Sequence, residues 1–176
     1  MLQTKTELTL EEFLTLPEGE GDITYEFIDN QAVPKMSPKK FHSRLTRTLI
    51  KILEEWGDER GEIGVQWEVK LTRQRRDWVP VPDVLYVSYQ RLSPDWNLDE
   101  ACPVVPELVI EIISAGETFG QLAAKARDYL DAKVLRVWVV DSKARSITAK
   151  IPPKTAVETA ATQTNSAFAE SRSDGG

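Results

Sequence analysis

The sequence is poor in the residues that build disulfide and zinc sites. Its 176 residues include a single cysteine, Cys102, and a single histidine, His42, which excludes an internal disulfide and a cysteine-based zinc site. No apolar run reaches the length that a membrane-spanning helix needs. The N-terminal segment lacks the basic flank and apolar stretch of a secretory signal. Together, these absences predict a protein of the reducing cytoplasm with no membrane partner.

Signatures of several common enzyme classes are also missing. There is no GxGxxG turn after a strand, no Walker A loop and no GxSxG elbow. A Ser–His–Asp arrangement would have to use His42, and no serine motif accompanies it. The net charge of −6 argues against non-specific coating of nucleic acid, although a local basic surface remains compatible with a DNA enzyme.

Two basic stretches could supply such a local surface. They comprise Lys35, Lys39, Lys40, His42, Arg44, Arg47 and Lys51 in one stretch, and Lys70, Arg73, Arg75 and Arg76 in the other. Charged runs are most often solvated faces, so phosphate contact and an ordinary exposed face are both open. The candidates for contacting nucleic acid are Lys39, Lys40, His42 and Arg44.

The periodicity of apolar residues predicts an α/β chain. Helices are predicted over 8–16, from Ser37-Pro38 to Gly57 or Gly61, and over 117–132. Strands are predicted over 24–33 as a hairpin, 64–71, 81–88, 107–114 and 134–141, with an edge strand at 146–151. The helix between the last two long strands requires those strands to be parallel. A mixed central sheet flanked by helices on both faces is the economical architecture.

The clearest helix is the one that begins at Ser37-Pro38. Serine is a good N-cap, and proline at the first helical position lacks only an N–H that would be orphaned anyway. The buried face is predicted to carry the residues at helical spacing, Phe41, Leu45, Leu49, Ile52, Leu53 and Trp56. His42 is then expected on the opposite, exposed face among the basic residues.

The chain length suits one domain with its own core. We predict that this domain covers residues 1–152. Beyond Pro153 the composition shifts to alanine, threonine, serine and glycine without periodicity. Residues 153–176 are therefore predicted to form a disordered tail.

Charged residues that interrupt apolar runs are the informative positions, because an unpaired charge is seldom buried. Glu111 interrupts the apolar strand 107–114, so its carboxylate must be neutralised, hydrogen-bonded or bound to a cation. A place at the sheet rim or a pair with an arginine would also explain it. Asp83 follows Pro82 at the start of a strand, where aspartate is also common through its turn preference.

Asp83 and Glu111 together predict a cation site. Two neighbouring carboxylates raise each other's pKa unless a cation lies between them, and Mg²⁺ prefers such oxygen ligands. A bound water can then attack a phosphodiester. Lys125 either reaches this site, where it would offset charge on phosphorus, or extends to solvent. Glu26 is a fourth candidate that could hold a metal-bound water, pair with a lysine or lie exposed on its strand.

Six segments in order resemble the Uma-two family of endonucleases, within the restriction-endonuclease-like PD-(D/E)xK nuclease superfamily. They are YEFIDNQAV, MSPKKFH, VPDVLYV, ELVIEIIS, KARDYLDA and VLRVWVVD, and the resemblance covers roughly residues 8–150. The resemblance implies an αβββαβ restriction-endonuclease-like core and hydrolysis of DNA phosphodiesters with Mg²⁺ or Mn²⁺. It also implies that Asp83 and Glu111 are metal ligands and that Glu26 supports the metal or its water.

The sequence departs from the superfamily signature at one catalytic position. Ile113 stands where the superfamily has lysine two residues after the strand glutamate. Lys125 resembles the family's helical lysine and could replace it from the following helix. Because two-strand cleavage usually needs two active sites, the superfamily also implies a homodimer.

Three hypotheses follow. The first is a Mg²⁺-dependent DNA endonuclease that uses Asp83, Glu111, Lys125 and Glu26. The second, favoured by Ile113, is a catalytically inactive nucleic-acid-binding or regulatory module on a nuclease fold. The third is a structural or interaction domain without a nucleic-acid role.

Overall fold

The fold is described from a computed structural model, which covers residues 7–16, 23–35, 37–57, 59–114 and 116–152. Its helices are α1 (Leu10–Leu14), α2 (Lys40–Gly57) and α3 (Phe119–Asp131). Its strands are β1 (Tyr25–Ile28), β2 (Gln31–Pro34), β3 (Gly61–Val65), β4 (Leu71–Arg73), β5 (Arg76–Trp78), β6 (Val84–Ser88), β7 (Leu108–Ile112), β8 (Arg136–Asp141) and β9 (Ser146–Lys150). No helix in these ranges is long and apolar enough to cross a membrane. The predicted tail lies outside the described residues.

A five-stranded mixed sheet forms the centre of the fold. Its strand order is β3-β6-β7-β8-β9. β7 and β8 are parallel and are joined by α3, whereas the other neighbours are antiparallel. The hairpins β1-β2 and β4-β5 form separate two-stranded sheets. The predicted mixed sheet and the predicted parallel pair are therefore confirmed.

Each face of the sheet is covered by one long helix. Leu85 of β6 packs in an apolar cluster with Tyr129 of α3. The next residue back along the strand, Val84, packs instead with Leu49 of α2. Because successive side chains of a strand point to opposite faces, the two helices lie on opposite sides of the sheet, as predicted.

Two predicted boundaries are wrong. The predicted strand 64–71 does not continue past Val65, because Gln66 adopts a left-handed backbone conformation with φ of 48°. The chain turns there, forms an isolated parallel bridge between Val69 and Cys102, and enters a strand again in β4. The helix α2 begins at Lys40 rather than at Ser37-Pro38.

The predicted buried face of α2 is also partly wrong. Leu49 and Leu53 are buried as expected, but His42 is buried with them at 7% exposure. The exposed apolar residues of this helix are Phe41 (70%), Ile52 (56%) and Trp56 (51%). Consecutive helical residues are about 100° apart, so a helix that turns His42 inward must turn Phe41 outward. The prediction of an exposed histidine is thus corrected, because His42 has a buried polar partner, described below.

Opposite changes in stability are expected for two glycine-to-alanine substitutions. A Cβ at Gly61 of β3 would clash with the backbone oxygen of Val87 and lie 2.8 Å from the Cα of Ser88. Gly61→Ala should therefore cost about 1–3 kcal/mol of unfolding free energy. At Gly120 of α3 the nearest atom to such a Cβ is 3.9 Å away, so Gly120→Ala should stabilise by about 0.5–1 kcal/mol. Urea unfolding of both variants measures the change in the free energy of unfolding and its sign. No change for Gly61→Ala would contradict the close packing of β3 on β6.

Candidate active site

Strand pairing brings Asp83 and Glu111 to the same place in the sheet. In the antiparallel pair β6–β7, Val84 lies opposite Ile110, so one further step along this register places Asp83 beside Glu111. Both carboxyl-bearing residues are buried, at 2% and 4% exposure. Two acids separated by 28 positions in the chain (111 minus 83) therefore become neighbours through the β-ladder alone.

The β1-β2 hairpin adds a third carboxylate. Phe27 of β1 forms an isolated antiparallel bridge with Val79, just ahead of β6. This bridge lets the backbone N–H of Val81 donate to Glu26 Oε1 at 3.0 Å. Glu26 is 8% exposed, so the hairpin inserts an acid next to the segment that leads to Asp83.

Asp83 is held by three donors. Lys35 Nζ lies 2.8 Å from Oδ1, and Lys35 also donates to the backbone oxygen of Val81. His42 Nε2 lies 2.9 Å from Oδ2, which also accepts the backbone N–H of Ile112 at 2.7 Å. Burial by itself raises the pKa of Asp83, but the histidine hydrogen bond and the lysine charge outweigh it and lower this pKa to about 2.

Lys125 of α3 bridges the other two carboxylates. Its Nζ lies 2.6 Å from Glu26 Oε1 and 2.9 Å from Glu111 Oε1. Burial lowers the pKa of Lys125, but the two carboxylates outweigh this effect and raise it well above its ordinary value. The prediction that this lysine reaches the acids is thus matched by the contacts. Its ammonium keeps its proton at neutral pH.

Tyr129 completes the surroundings of Glu111. It lies four positions after Lys125, on the same face of α3, and its hydroxyl donates to Glu111 Oε1 at 2.7 Å. Burial raises the pKa of the Glu111 carboxyl, although the Lys125 charge opposes the change. Burial and the Glu111 charge raise the pKa of Tyr129 well above its usual range, so the phenol remains a hydrogen-bond donor.

These seven side chains constitute the buried charge cluster. They are Glu26, Lys35, His42, Asp83, Glu111, Lys125 and Tyr129. Asp83 pairs with Lys35, whereas Glu26 and Glu111 share Lys125, so three carboxylate charges face two lysine charges and one formal negative charge is in excess. Within the described ranges, no three histidine, cysteine, aspartate or glutamate side chains form a group that could enclose a metal ion. A divalent ion here would complete its shell with other oxygens.

The structure thus brings the four predicted catalytic residues together. The four residues predicted to contact nucleic acid do not share one environment. Lys39, Lys40 and Arg44 are exposed near the start of α2. His42 instead lies in the buried charge cluster, with Nε2 at Asp83 and Nδ1 3.3 Å from the Thr46 hydroxyl. Because both ring nitrogens have protein partners, His42 supports Asp83 rather than presenting itself to solvent.

Two members of the buried charge cluster were not predicted. The spacing of Tyr129 from Lys125 would place them on one helix face, which was the available signal for the tyrosine. Lys35 follows the β1-β2 hairpin among several other lysines. No periodicity distinguishes it from them, because its approach to Asp83 depends on how the β1-β2 hairpin docks, with the Lys35 N–H bonded to the backbone oxygen of Thr24.

Comparison with known proteins first identifies a solved structure with a similar fold. A solved structure described as "a putative nuclease" from Anabaena variabilis matches with a TM-score of 0.71 and 19% identity, over 84% of this chain and 82% of that one. The two proteins therefore share a fold. No curated protein matches this sequence.

The family follows from the sequence itself. The family model of Uma2, described as "Putative restriction endonuclease", matches residues 10–172. The chain therefore belongs to the Uma2 family, as the resemblance of its six segments predicted. The match extends past residue 152, where composition alone placed the end of the domain.

Asp83→Asn is expected to remove part of the acid sensitivity of folding. The pKa of Asp83 is about 2 in the fold against 3.8 for an unperturbed aspartate. Its ionised form therefore stabilises the fold above the higher value, and this contribution is lost as the pH falls to the lower one. The wild type should lose on the order of 2 kcal/mol more than Asp83→Asn across that window. Urea unfolding at several pH values measures this, and parallel curves for the two proteins would contradict the paired carboxylate.

Proposed function

We propose that this protein is a divalent-metal-dependent endonuclease that hydrolyses DNA phosphodiesters, with Mg²⁺ or Mn²⁺ as the ion. The observation that carries the proposal is the buried charge cluster itself. Asp83, just before β6, accepts the backbone N–H of Ile112 beside Glu111 of β7, and Lys125 of α3 contacts Glu111. Membership of a family described as restriction endonucleases supports it.

The donor set of the cluster suits a hard divalent ion. Asp83 and Glu111 offer carboxylate oxygens, the ligands that Mg²⁺ prefers, and the lysines leave one negative charge unmatched. These two residues would hold the ion. Once bound, it would supply Lewis-acid chemistry and a water of lowered pKa. Lys35 would have to leave Asp83 Oδ1 to make room, because its ammonium already occupies a cation position there.

Lys125 would stabilise the charge that develops on phosphorus. Its pKa is raised by Glu26 and Glu111, so it stays cationic in a site where electrostatic interactions are strong. Ile113, at the signature lysine position, donates its backbone N–H to Val140 and packs against the core. Its side chain has no ammonium, and α3 supplies one from the neighbouring element instead.

The remaining residues of the cluster would position these groups. Tyr129 holds Glu111 through its hydroxyl, and His42 holds Asp83 through Nε2. Glu26 accepts from Lys125 and from the Val81 backbone at the same oxygen. That arrangement aligns the lysine ammonium between the hairpin and the sheet.

A second candidate function is a nucleic-acid-binding module that does not cut. The observation that favours it is the pairing of every carboxylate of the cluster with a lysine in this structure. If these ion pairs do not open, the domain binds DNA through its basic residues and lacks hydrolysis.

A homodimer and a cytoplasmic location complete the proposal. Cutting both strands of a duplex with one site per chain calls for two chains related by symmetry. The single cysteine, Cys102, is free and buried, in keeping with a reducing compartment.

The nuclease proposal predicts cleavage of plasmid DNA with Mg²⁺ that stops on addition of EDTA. Asp83→Ala should lose all detectable cutting because a metal ligand is gone. Lys125→Met should lower the rate by about 100- to 1,000-fold through loss of charge stabilisation. Gel assays of nicked and linear plasmid measure both effects.

Lys143→Met is the matched control for Lys125→Met. Lys143 is exposed in the turn between β8 and β9, so this variant should cut at the wild-type rate. Cutting that survives Asp83→Ala would indicate a contaminant. DNA binding without cleavage by the wild type in either Mg²⁺ or Mn²⁺ would establish the second candidate instead.

Lys35→Met is expected to tighten metal binding, because it removes the cation that competes for Asp83. Binding of an ion to the folded state alone stabilises it, by about 2.7 kcal/mol at a ligand concentration of 100 times Kd. Added Mn²⁺ should therefore raise the melting temperature of Lys35→Met more than that of the wild type. An equal rise in both proteins would show that Lys35 does not occupy the ion's place.

A further inference from the structure

Phe41 is the most exposed large apolar side chain in the described part of the chain, at 70%. It belongs to none of the three apolar clusters of the described residues. Trp56, on the same helix, differs because its ring packs edge-on against Tyr86 with centroids 5.0 Å apart. None of these apolar clusters therefore covers Phe41.

The position of Phe41 links it to the buried charge cluster. It directly precedes His42, whose Nε2 is 2.9 Å from Asp83. From the spacing of adjacent Cα atoms and the reach of a histidine side chain, its Cα lies within about 12 Å of the Asp83 carboxylate. The ring thus stands on the solvent side of α2, with its backbone within about 12 Å of a carboxylate of the proposed metal site.

The charge around Phe41 is of one sign. Lys39, Lys40 and Arg44 are all exposed, and Arg44 is three positions from Phe41, on the same side of the helix. No aspartate or glutamate occurs between residues 37 and 53. An exposed aromatic ring among cations is the combination that binds nucleic acid whose bases are unpaired, since cations hold the backbone and the ring stacks on a base.

We propose that Phe41 stacks on an unpaired base of the substrate, next to the scissile phosphate, while Lys39, Lys40 and Arg44 hold the flanking phosphates. This inference rests on the proposed nuclease function and names its substrate class. A paired duplex hides its base faces in the stack. The preferred substrate is therefore DNA with unpaired bases at the cut, either single-stranded or opened at a flap, gap or mismatch.

The test measures binding without cleavage, in EDTA, by fluorescence anisotropy of the full-length protein. The probes are a single-stranded oligonucleotide, the same strand with abasic sites at successive positions, and the matched duplex. Phe41→Ala should weaken binding to the intact strand about tenfold and change duplex binding by less than about twofold. Phe41→Trp should restore the affinity. Ile52→Ala, which truncates another exposed apolar side chain of α2, should leave it unchanged.

Two further readouts separate stacking from charge. One of the abasic positions should weaken wild-type binding as much as Phe41→Ala weakens binding to the intact strand. Phe41→Ala should not weaken binding to that abasic strand any further, because the base that the ring would contact is already absent. Arg44→Ala should reduce the slope of log affinity against log salt by about 0.7 for single strands. Phe41→Ala should leave that slope unchanged, because a phenyl ring releases no counterions.

Three outcomes would overturn the inference. Equal affinity of wild type and Phe41→Ala for every probe, in a protein that cuts DNA, would overturn it and leave the nuclease proposal intact. Conversion of a wild-type dimer to a monomer by Phe41→Ala in sedimentation velocity, with unchanged strand binding, would assign this face to a contact between copies. Failure of the wild type to bind or cut any DNA would overturn both proposals together.

Discussion

Three carboxylates buried in one small domain constrain the rest of this structure. Each ionised acid loses most of its hydration, and the fold can retain it only by supplying cations and hydrogen-bond donors at close range. Glu26 and Glu111 share Lys125, and Asp83 takes Lys35, His42 and a backbone N–H. Each partner depends on the placement of one element. Lys125 comes from α3, Lys35 follows the β1-β2 hairpin, and His42 comes from α2, which is rotated to bury it.

The rotation of α2 shows how strongly the cluster governs packing. An apolar helix face chosen by hydrophobicity alone would bury Phe41 and expose His42. The observed helix does the reverse at its first turn while still burying Leu49 and Leu53 further along. The histidine that is buried satisfies the Asp83 carboxylate, and an unsatisfied buried carboxylate costs more than an exposed ring. Polar satisfaction therefore outweighs apolar periodicity at this end of the helix.

Local patterns in the sequence predict most of the fold. The apolar run of β7 and the predicted hairpin of β1 and β2 each appear in the structure as expected. The C-terminal end of β3 was predicted wrongly because the residues around Gln66 alternate as in a continuous strand. The left-handed backbone conformation of Gln66 depends on tertiary structure, which this alternation does not indicate. For the site, interruptions of apolar runs pointed to Glu111 and Asp83. Lys35 could not be found in this way, since it interrupts no apolar run and gains its role only through the docking of the β1-β2 hairpin.

The Lys125–Glu26 bond joins residues 99 positions apart. Closing so long a loop has an entropic cost, so this contact depends on long-range folding and not on local structure. A chain still emerging from the ribosome without α3 has its acids but lacks the bridging ammonium, and it cannot form the arrangement described here. The charge cluster is thus complete only once synthesis has passed the second long helix of the chain.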